Sequence, residues 1–570
     1  MTYRRSWALL VLFVLMAALQ LTIAARQCLW GDELFSLALA TGHSLEQPAA
    51  KSNVAAGDFV QPPRPVSPEQ LQRYLKHEHP PAGLARVVRA VYLSDTSPPL
   101  YYILLYGWTI LAGTSDFAAR CFSVLWSLAS FPLMASVTRR TAGTKALIPS
   151  CALFAFSPIG TYFGTEARMY SLLIFLVLAT AWATLRLQQQ PGPAWAYFLW
   201  IAASAAGFLT HYFFLFPWMA MVAFVLLRPG SFRRAALIGC VALAMLAISP
   251  WYVHVPDSLA RWRITGGWLH MRPSEYHALR ATRNHFLQFF SGGGSGLWPY
   301  SAWSARSASL LFAIVFAAMI WRLRSRLFGE TRLLLWLWFI AACCAPSIMD
   351  ALQHTYLANN PRYTLAALPA AYLLAALALT EVPRRVSLVA LVLILLAWSA
   401  PIAKICRQHW RNSQPLCQIV PVLQAQATAA DVVLVHSIPS GVLGIARYAH
   451  SPLRIASWIE QLGRRRVQES LPALIGGRKR VFFVKLHLLG EPLPEEDWLR
   501  AHAEVVQQKR MQEIWLIEFR PKNSATFQSF SAAASRGFPP NKYWRSRTKR
   551  CTFTRPQPCA RRGATEPNLL

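Results

Sequence analysis

Two neighbouring carboxylates give the clearest indication of chemistry in this sequence. They lie in Trp30-Gly31-Asp32-Glu33, a few residues beyond the first apolar run. Repulsion between two such charges can raise the pKa of one carboxyl group, and a carboxylate at a membrane surface can then act as a general base. An acidic pair can equally belong to a solvated loop, so the rest of the sequence must show whether this pair is catalytic.

Two further motifs combine charged and aromatic residues. The segment Asp95–Tyr102 contains two adjacent prolines followed by leucine and two tyrosines, which predicts a rigid entry into an interfacial aromatic segment. An aromatic belt would give the same pattern. The segment Glu166–Tyr170 separates Glu166 from Arg168 by one residue. Arginine is the natural partner of a lipid-linked phosphate, although a local ion pair is the alternative.

The composition indicates the kind of protein in which these motifs are positioned. Of 570 residues, 54% are hydrophobic and 14% are charged, against about 25% charged in soluble chains. This excludes a soluble globular enzyme and a disordered chain, and predicts a multi-spanning membrane protein. The net charge of +32 would suggest nucleic acid in a soluble protein. Here many basic residues occupy short loops between apolar runs, where they set topology and favour anionic lipids, so we predict no nucleic-acid partner.

The apolar runs predict about eleven membrane-spanning helices of bilayer-crossing length. The first, from Trp7 to Ala25, reads as an uncleaved anchor in preference to a signal peptide. The others are predicted at 118–138, 146–164, 168–185, 194–210, 212–227, 235–252, 307–321, 333–349, 364–380 and 386–402. The predicted fold class is an α-helical polytopic membrane protein with a small external α/β C-terminal domain.

The short apolar segment Pro98–Gly113 decides the orientation of every later loop. If it is interfacial or re-entrant, the basic clusters fall in the cytoplasm, as the positive-inside rule requires. These clusters are Arg139 with Arg140 and Lys145, Arg186, Arg228 with Arg233 and Arg234, Arg322 with Arg324 and Arg326, and Arg384 with Arg385. The N-terminus is then cytoplasmic and the C-terminus external.

This topology divides the chain into a transmembrane domain at 1–402, an external domain at 403–522 and a tail at 523–570. The transmembrane domain has two large external loops, at 26–97 with a helix at Pro68–Lys76, and at 253–305 with a flexible Gly/Ser run at Ser291–Gly296. In the external domain, β-prone runs occur at Asp431–His436, Val481–Leu486 and Ile514–Phe519. The basic tail is rich in Ser, Arg and Pro and reads as disordered.

Ionisable residues avoid the interiors of the predicted spans and gather at their external ends. Ion-coupled transporters usually carry charges at mid-membrane, so this distribution favours an active site at the membrane interface. The external group comprises Asp32, Glu33, Asp95, Asp116, Arg120, Glu166, Arg168, His211, Asp350, His354 and Arg362.

The ten cysteines form no CxxC pair and no spacing suited to zinc. Those in apolar runs read as small buried residues: Cys121, Cys151, Cys240, Cys343 and Cys344. Cys406 and Cys417 lie on the external side of the predicted topology and could pair there if it is oxidising.

Together the three motifs resemble the GT-C membrane glycosyltransferases, in the protein O-mannosyltransferase and aminoarabinose-transferase-like group. An acidic pair after the first span, a Pro-Pro-Leu-Tyr-Tyr segment and a later Glu-Ala-Arg-Met-Tyr segment occur in the family order. Further matches are Asp116–Arg120, Thr210–Tyr212 and Pro361–Tyr363, so that the resemblance covers about residues 1–400.

The resemblance implies transfer of a sugar from a polyprenyl-phosphate donor to a lipid, glycan or protein acceptor on the external face. It would place the protein in a membrane, expected to be the bacterial inner membrane. The implied catalytic acids are Asp32, Glu33 and Glu166. The implied substrate-binding residues are Arg120, Arg168, Arg362, Tyr101, Tyr102 and His211.

The sequence departs from the family before the paired prolines, where the family often has histidine and this chain has Ser97. An earlier His-Pro-Pro at His79–Pro81 lacks the following Leu-Tyr-Tyr. No histidine or metal role is therefore carried over, and the sequence supports no cofactor.

Two other functions remain open at this point. A transporter or flippase of lipid-linked sugars would show inverted repeats and mid-membrane charges. A non-catalytic membrane scaffold would be indifferent to loss of Asp32.

Overall fold

The computed structural model describes residues 3–47, 51–95, 97–257, 277–291, 302–324, 329, 331–459, 471–488 and 493–522. Helices dominate the first four hundred residues. In chain order the helices are α1 (Tyr3–Arg26), α2 (Gly31–Ala40), α3 (Pro68–Gln72), α4 (Leu84–Ser94), α5 (Leu100–Ala112), α6 (Asp116–Thr141), α7 (Leu147–Ala155), α8 (Pro158–Gly164), α9 (Tyr170–Gln189), α10 (Ala194–Phe208), α11 (Leu215–Leu227), α12 (Arg234–Tyr252), α13 (Ala278–Ser291), α14 (Ala302–Leu323), α15 (Arg332–Gln353), α16 (Leu368–Thr380), α17 (Arg384–Arg407), α18 (Leu416–Gln426), α19 (Pro439–Tyr448), α20 (Leu471–Ile475) and α21 (Pro494–His502).

Seven helices in the described part of the chain are long and apolar enough to cross a membrane, which makes this an integral membrane protein. They are Arg5–Arg26, Asp116–Thr141, Tyr170–Gln189, Arg234–Asp257, Arg332–Gln353, Pro361–Thr380 and Arg384–Arg407. The number rises to eight if the bent pair Thr144–Ala155 and Pro158–Gly164 forms one span. Each predicted span coincides with a helix or a helix pair. The predicted count of about eleven and the orientation stay predictions.

The bend in the predicted span 146–164 has a local cause. The two helices of this span meet at 58°. Ser157 caps the second helix by accepting a hydrogen bond from the Gly160 N–H at 3.0 Å, and Pro158 occupies the first helical turn. Proline is favoured there because its missing N–H has no partner in that turn anyway. The short helix α8 is followed directly by the turn that contains Glu166.

The C-terminal domain is built on a five-stranded sheet with the order β2-β1-β3-β5-β4. Strand β1 pairs in parallel with β2 and β3, and β5 pairs antiparallel with β3 and β4. The strands are β1 (Val432–His436), β2 (Ile455–Trp458), β3 (Val481–Lys485), β4 (Ala503–Met511) and β5 (Ile514–Pro521).

The sequence predicted β1, β3 and β5 because these strands are apolar and mostly buried. It missed β2, which has four residues, and β4, which is an exposed edge strand with Gln, Lys and Arg side chains. Charged residues on an edge strand discourage pairing with other chains, and they also conceal its strand pattern.

The first large loop folds against the C-terminal domain. It contains α2, α3 and α4. Helix α3 continues into a 3₁₀ turn at Arg73–Leu75, and together these two elements match the helix predicted at Pro68–Lys76. Leu34 and Leu37 of α2 share one hydrophobic core with Leu416 and with Val433 of β1. The first loop and the C-terminal domain therefore form one packed unit.

A disulfide closes this unit by joining Cys28 to Cys417. The pairing of Cys406 with Cys417, which the sequence left open, does not form, since Cys417 bonds to Cys28 and Cys406 is a free cysteine. Sequence spacing could not reveal the true partner, because the two bonded residues are 389 positions apart. Among the cysteines expected to be buried, Cys121 and Cys344 are only partly so.

Two sequence predictions fall partly or wholly outside the described residues. The second large loop at 253–305 contains helix α13, and most of the Gly/Ser run at Ser291–Gly296 is not described. The tail at 523–570, predicted to be disordered, lies outside the described residues.

Candidate active site

Asp32 is the acid of the adjacent pair that remains accessible. It lies in the first turn of α2, and 34% of its side chain is exposed. Its Oδ2 accepts a hydrogen bond from Nη1 of Arg362 at 3.0 Å. Arg362 follows Asn360, whose side chain caps the turn that begins the Pro361–Ala367 3₁₀ helix. Two residues 330 positions apart are thus brought together as an accessible carboxylate and a guanidinium.

Glu33 has a different environment, because it is fully buried against Arg120. Its Oε1 accepts from Nε of Arg120 at 3.0 Å and from the Ala167 N–H at 2.8 Å. Its Oε2 accepts from Nη2 of Arg120 and from the Trp30 N–H. A carboxylate offers about four lone-pair sites, so the protein itself occupies the accepting capacity of Glu33.

The guanidinium group of Arg120 likewise donates only to protein atoms in the described part of the chain. Besides the Glu33 carboxylate, it donates to the carbonyl oxygens of Gln27 and Cys28, each at 2.9 Å, and to the Gln27 side chain at 3.4 Å. These contacts account for all five N–H donors of a guanidinium. The expected roles of Glu33 as a catalytic acid and of Arg120 as a phosphate ligand therefore do not fit their geometry. The pair instead anchors the chain between Gln27 and Glu33, and Arg120 offsets the charge repulsion expected between Asp32 and Glu33.

Arg168 lies at the centre of a second polar group, beside Tyr102 and Asp95. Its Nη1 donates to Ser36 Oγ at 3.1 Å and to Tyr102 Oη at 3.2 Å, and lies 3.6 Å from Asp95 Oδ2. Tyr102 donates in turn to Asp95. Nε of Arg168 is buried and has no hydrogen-bond partner in the described part of the chain. Buried polar atoms are nearly always paired, so this donor is suited to a ligand.

The two adjacent tyrosines lie beneath the site. Both Tyr101 and Tyr102 are fully buried, and Tyr101 pairs with Ser123 Oγ at 3.1 Å. Their hydroxyl groups are engaged by protein atoms. Tyr102 therefore contacts the Arg168 guanidinium, whereas the Tyr101 hydroxyl bonds to Ser123, which donates to the Arg168 carbonyl at 3.3 Å.

Glu166 lies in the turn between α8 and α9 and is almost completely buried. Burial raises the pKa of its carboxyl group to about 7, since the favourable charge of Arg411 is opposed by Glu33 and Asp32. Its Oε2 has no hydrogen-bond partner among the described residues. A carboxyl group with this pKa can hold or release a proton near neutral pH.

His211 lies beside Tyr170, with ring centroids 6.2 Å apart. Burial, reinforced by the charges of Arg168 and Arg362, lowers the pKa of His211 to about 3. The ring is therefore neutral at physiological pH. Its Nδ1 accepts a hydrogen bond from the Phe213 N–H at 3.1 Å, which leaves the proton on Nε2 as a donor.

Sequence reasoning missed Arg411, which is buried beneath the motifs. It donates to Gln27 Oε1 at 2.6 Å, to the Tyr162 carbonyl at 2.8 Å and to Thr165. It thereby ties the acidic-pair segment to the turn before Glu166. Only its position shortly after the last span could have drawn attention to it, because it belongs to no motif.

The described residues contain no group of three or more His, Cys, Asp or Glu side chains that could hold a metal ion. Their chemistry is that of carboxylates, guanidinium groups and a neutral imidazole. Such a set can accept a proton, bind an anion and donate a hydrogen bond to a hydroxyl group.

Comparison with known proteins shows which proteins this chain resembles. Residues 96–254 match the family model described as dolichyl-phosphate-mannose-protein mannosyltransferase. The chain is similar to the solved structure of ArnT from Cupriavidus metallidurans in the apo state, with 14% sequence identity over 91% of this chain and 98% of that chain and a TM-score of 0.55. It is also similar to the same protein bound to undecaprenyl phosphate, with 15% identity, the same coverage and a TM-score of 0.54. Comparison with curated protein sequences gave no significant match.

These findings confirm the resemblance predicted from the motifs. The chain has the GT-C fold, and its segment 96–254 carries the mannosyltransferase family pattern. That segment includes Glu166, Arg168 and His211, whereas Asp32 and Arg362 lie outside it. The roles of the individual residues must therefore be argued from their geometry.

Proposed function

We propose that this GT-C protein is a glycosyltransferase that moves a sugar from a polyprenyl-phosphate donor to an acceptor on the external face of the membrane. The observation that carries the proposal is the accessible Asp32 carboxylate 3.0 Å from the Arg362 guanidinium. A base for the acceptor and a cation for the phosphate are thus adjacent. The acceptor is a lipid, glycan or protein nucleophile that reaches this face.

In the proposed reaction, Asp32 takes the proton from the acceptor hydroxyl. The acceptor oxygen bonds to the anomeric carbon while the bond from that carbon to the phosphate oxygen breaks. The polyprenyl phosphate leaves with the bonding electrons, and guanidinium groups stabilise its growing charge. Arg362 supplies one such group, and Nε of Arg168, which has no hydrogen-bond partner among the described residues, supplies another donor.

Glu166 and His211 have supporting roles in this scheme. Glu166 can hold a proton near neutral pH and lies within electrostatic reach of Asp32. His211 can donate from Nε2 to a sugar hydroxyl or a phosphate oxygen. Glu33 and Arg120 hold the segment that carries Asp32 and do not touch the substrate.

An apolar cavity lined by Tyr212, the neighbour of His211 in the chain, is suited to the polyprenyl chain. It has a volume of about 480 Å³ between α10, α11 and α12. Its lining includes Phe208, Tyr212, Leu215, Met245, Ile248 and Tyr252. The relationship to ArnT, solved with undecaprenyl phosphate, supports a lipid of this class. The phosphate would then lie near His211, with the chain among the aromatic residues.

The disulfide supports an external location for the site. Structural disulfides persist in oxidising compartments and are rare in the cytosol. Cys28 lies four residues before Asp32, and Cys417 lies in the C-terminal domain, so both would face the periplasm or its equivalent. The basic loops then lie in the cytoplasm, and the inner membrane of a bacterium is the proposed site.

The test is transfer from a labelled polyprenyl-phosphate sugar in membranes that contain the Asp32→Asn variant. Loss of a general base is expected to lower the rate by about 10²–10⁴. The matched control is Asp497→Asn, which makes the same change at an exposed position on α21. Normal protein level with a wild-type transfer rate for Asp32→Asn would show that Asp32 is not the base.

A further inference from the structure

Besides the Glu33–Arg120 pair, the segment that carries Asp32 is held by residues 381 to 419 positions later in the chain. The Cys28 N–H donates to the His409 carbonyl at 2.9 Å, and the Leu29 N–H donates to Tyr448 Oη at 2.8 Å. The Gly31 N–H donates to Oε1 of Gln414 at 3.0 Å. Three amides just before Asp32 thus donate to the C-terminal domain and the linker that leads to it, and the Leu29 N–H is shared with Asp116 Oδ2 at 3.3 Å.

The contact at Gly31 continues into the C-terminal domain as a chain of hydrogen bonds. Gln414 Nε2 lies 2.9 Å from Nε2 of His487, and His487 Nδ1 lies 2.8 Å from Ser437 Oγ. The amide oxygen of Gln414 is fixed by the Gly31 N–H, so its nitrogen must donate to His487. His487 accepts at Nε2, carries its proton on Nδ1 and donates to Ser437.

His487 meets the requirements of this arrangement. Burial lowers its pKa to about 4, so the ring is neutral and able to accept at Nε2. Its backbone has φ +57°, a left-handed conformation that is uncommon outside glycine and that costs energy. This conformation follows β3 by two residues, at the carboxyl end of a parallel strand, where α/β sheets commonly carry functional groups.

Gly31 allows the close approach of this chain of residues. A Cβ atom at position 31 would lie 3.0 Å from His487 Nε2 and 3.2 Å from Gln414 Oε1. A side chain at this position would therefore require the His487 and Gln414 side chains to shift by a few tenths of an ångström. Glycine at this position is explained by packing from another domain, and not by backbone conformation.

We propose that Gln414 and His487 are positioning residues for sugar transfer, because they fix the Gly31 amide and through it the first turn of α2 that carries Asp32. The Asp32 carboxylate itself accepts a hydrogen bond from Arg362, and its backbone position depends on how this first turn is held. The proposal rests on the proposed function, and it makes the C-terminal domain a part of the catalytic unit. Among the described residues, the Gln414 side chain bonds to Gly31 and His487 and not to Arg168 or Arg362, so we expect donor binding not to depend on this chain of hydrogen bonds.

The test compares Gln414→Leu with Gln72→Leu in full-length protein. Gln72 is a matched control, because its side chain also bonds from the first loop to the C-terminal domain, at the Ala446 and Ala449 carbonyls. Gln414→Leu is expected to lower kcat by about 10²-fold, the effect of a misplaced catalytic group, with KM for the donor unchanged. Gln72→Leu is expected to keep both constants.

Two further measurements separate positioning from loss of fold. Gln414→Glu keeps an acceptor for the Gly31 N–H and is expected to recover part of the lost kcat. Hydrogen–deuterium exchange of the peptide 27–37 is expected to speed up in Gln414→Leu and not in Gln72→Leu, and it requires no substrate. The Cys28–Cys417 disulfide, followed by mobility on a non-reducing gel, reports that the domain is still docked.

The outcomes are distinct. If the wild type transfers sugar and Gln414→Leu keeps kcat within twofold, the positioning role is overturned. A Gln414→Glu variant no better than Gln414→Leu would overturn it as well. A wild type that transfers no lipid-linked sugar refutes the proposed function, while unchanged exchange at 27–37 in Gln414→Leu refutes the contact itself.

Discussion

Replacement of Arg120 by glutamine is expected to destabilise the protein strongly, although no substrate contact is involved. Arg120 and Glu33 are both fully buried and are joined by two hydrogen bonds. The variant would leave the Glu33 carboxylate buried without its cation. It would also weaken the support of the Gln27 and Cys28 carbonyls, which the same guanidinium holds.

The expected cost follows from this geometry. Breaking a buried ion pair by removing one partner typically costs about 3–5 kcal/mol, because the remaining charge is uncompensated. The double variant Glu33→Gln/Arg120→Gln has no buried charge, and its amides can still form hydrogen bonds. Its cost is expected to fall short of the sum of the two single variants by roughly 3 kcal/mol.

The assay is denaturation in mixed micelles, followed by tryptophan fluorescence for the wild type, both single variants and the double variant. Arg384→Gln, at the exposed start of helix α17, is the control and should change the free energy of unfolding by less than about 0.5 kcal/mol. A cost below about 1 kcal/mol for Arg120→Gln, or additive single variants, would refute the anchoring role. Arg120 would then return as a ligand for the donor phosphate.

Three further outcomes are expected. Glu166→Gln should be more stable than the wild type at pH 8 by up to roughly 3 kcal/mol and equal to it at pH 4.5, as thermal melts at both values can show. The reason is that burial raises the pKa of Glu166 to about 7, so wild-type stability falls as the pH rises from about 4.5 to about 7. Arg362→Lys keeps the charge and loses the planar fork, so KM for the donor should rise roughly tenfold in steady-state kinetics, and an unchanged KM would remove the phosphate assignment. Reporter fusions after Phe328 and after Gln408 should give cytoplasmic and external signals respectively, and the reverse pattern would invert the topology.

Much of the fold could be predicted because its determinants are local. A run of about 20 apolar residues predicts a span wherever it occurs, and each such run coincides with a helix or a bent helix pair. The same applies to β1, β3 and β5, whose buried apolar side chains are visible in the sequence. The edge strand β4 was not predicted because most of its residues are polar and face solvent. It therefore lacks the apolar residues by which a strand is recognised in a sequence.

The candidate site could be predicted only in outline. The motifs made Asp32, Glu166 and Arg168 candidates, because their acids and arginines gather at the same ends of the predicted spans. They could not distinguish Asp32 from Glu33, because neighbouring carboxylates look alike until one of them meets a buried guanidinium. They also gave no indication of Gln414 or His487, which are ordinary polar residues in a domain far along the chain.

The sequence by itself determined where the chain is apolar enough to enter a membrane and which residues bring charge to its surface. Only the tertiary structure decided which charges neutralise one another and which remain accessible. Arg120 pairs with Glu33 across 87 positions, Arg362 pairs with Asp32 across 330, and Cys28 bonds to Cys417 across 389. The physical reason is that hydrophobic transfer depends on a residue and its near neighbours, whereas the pairing of buried charges depends on which distant segments pack together.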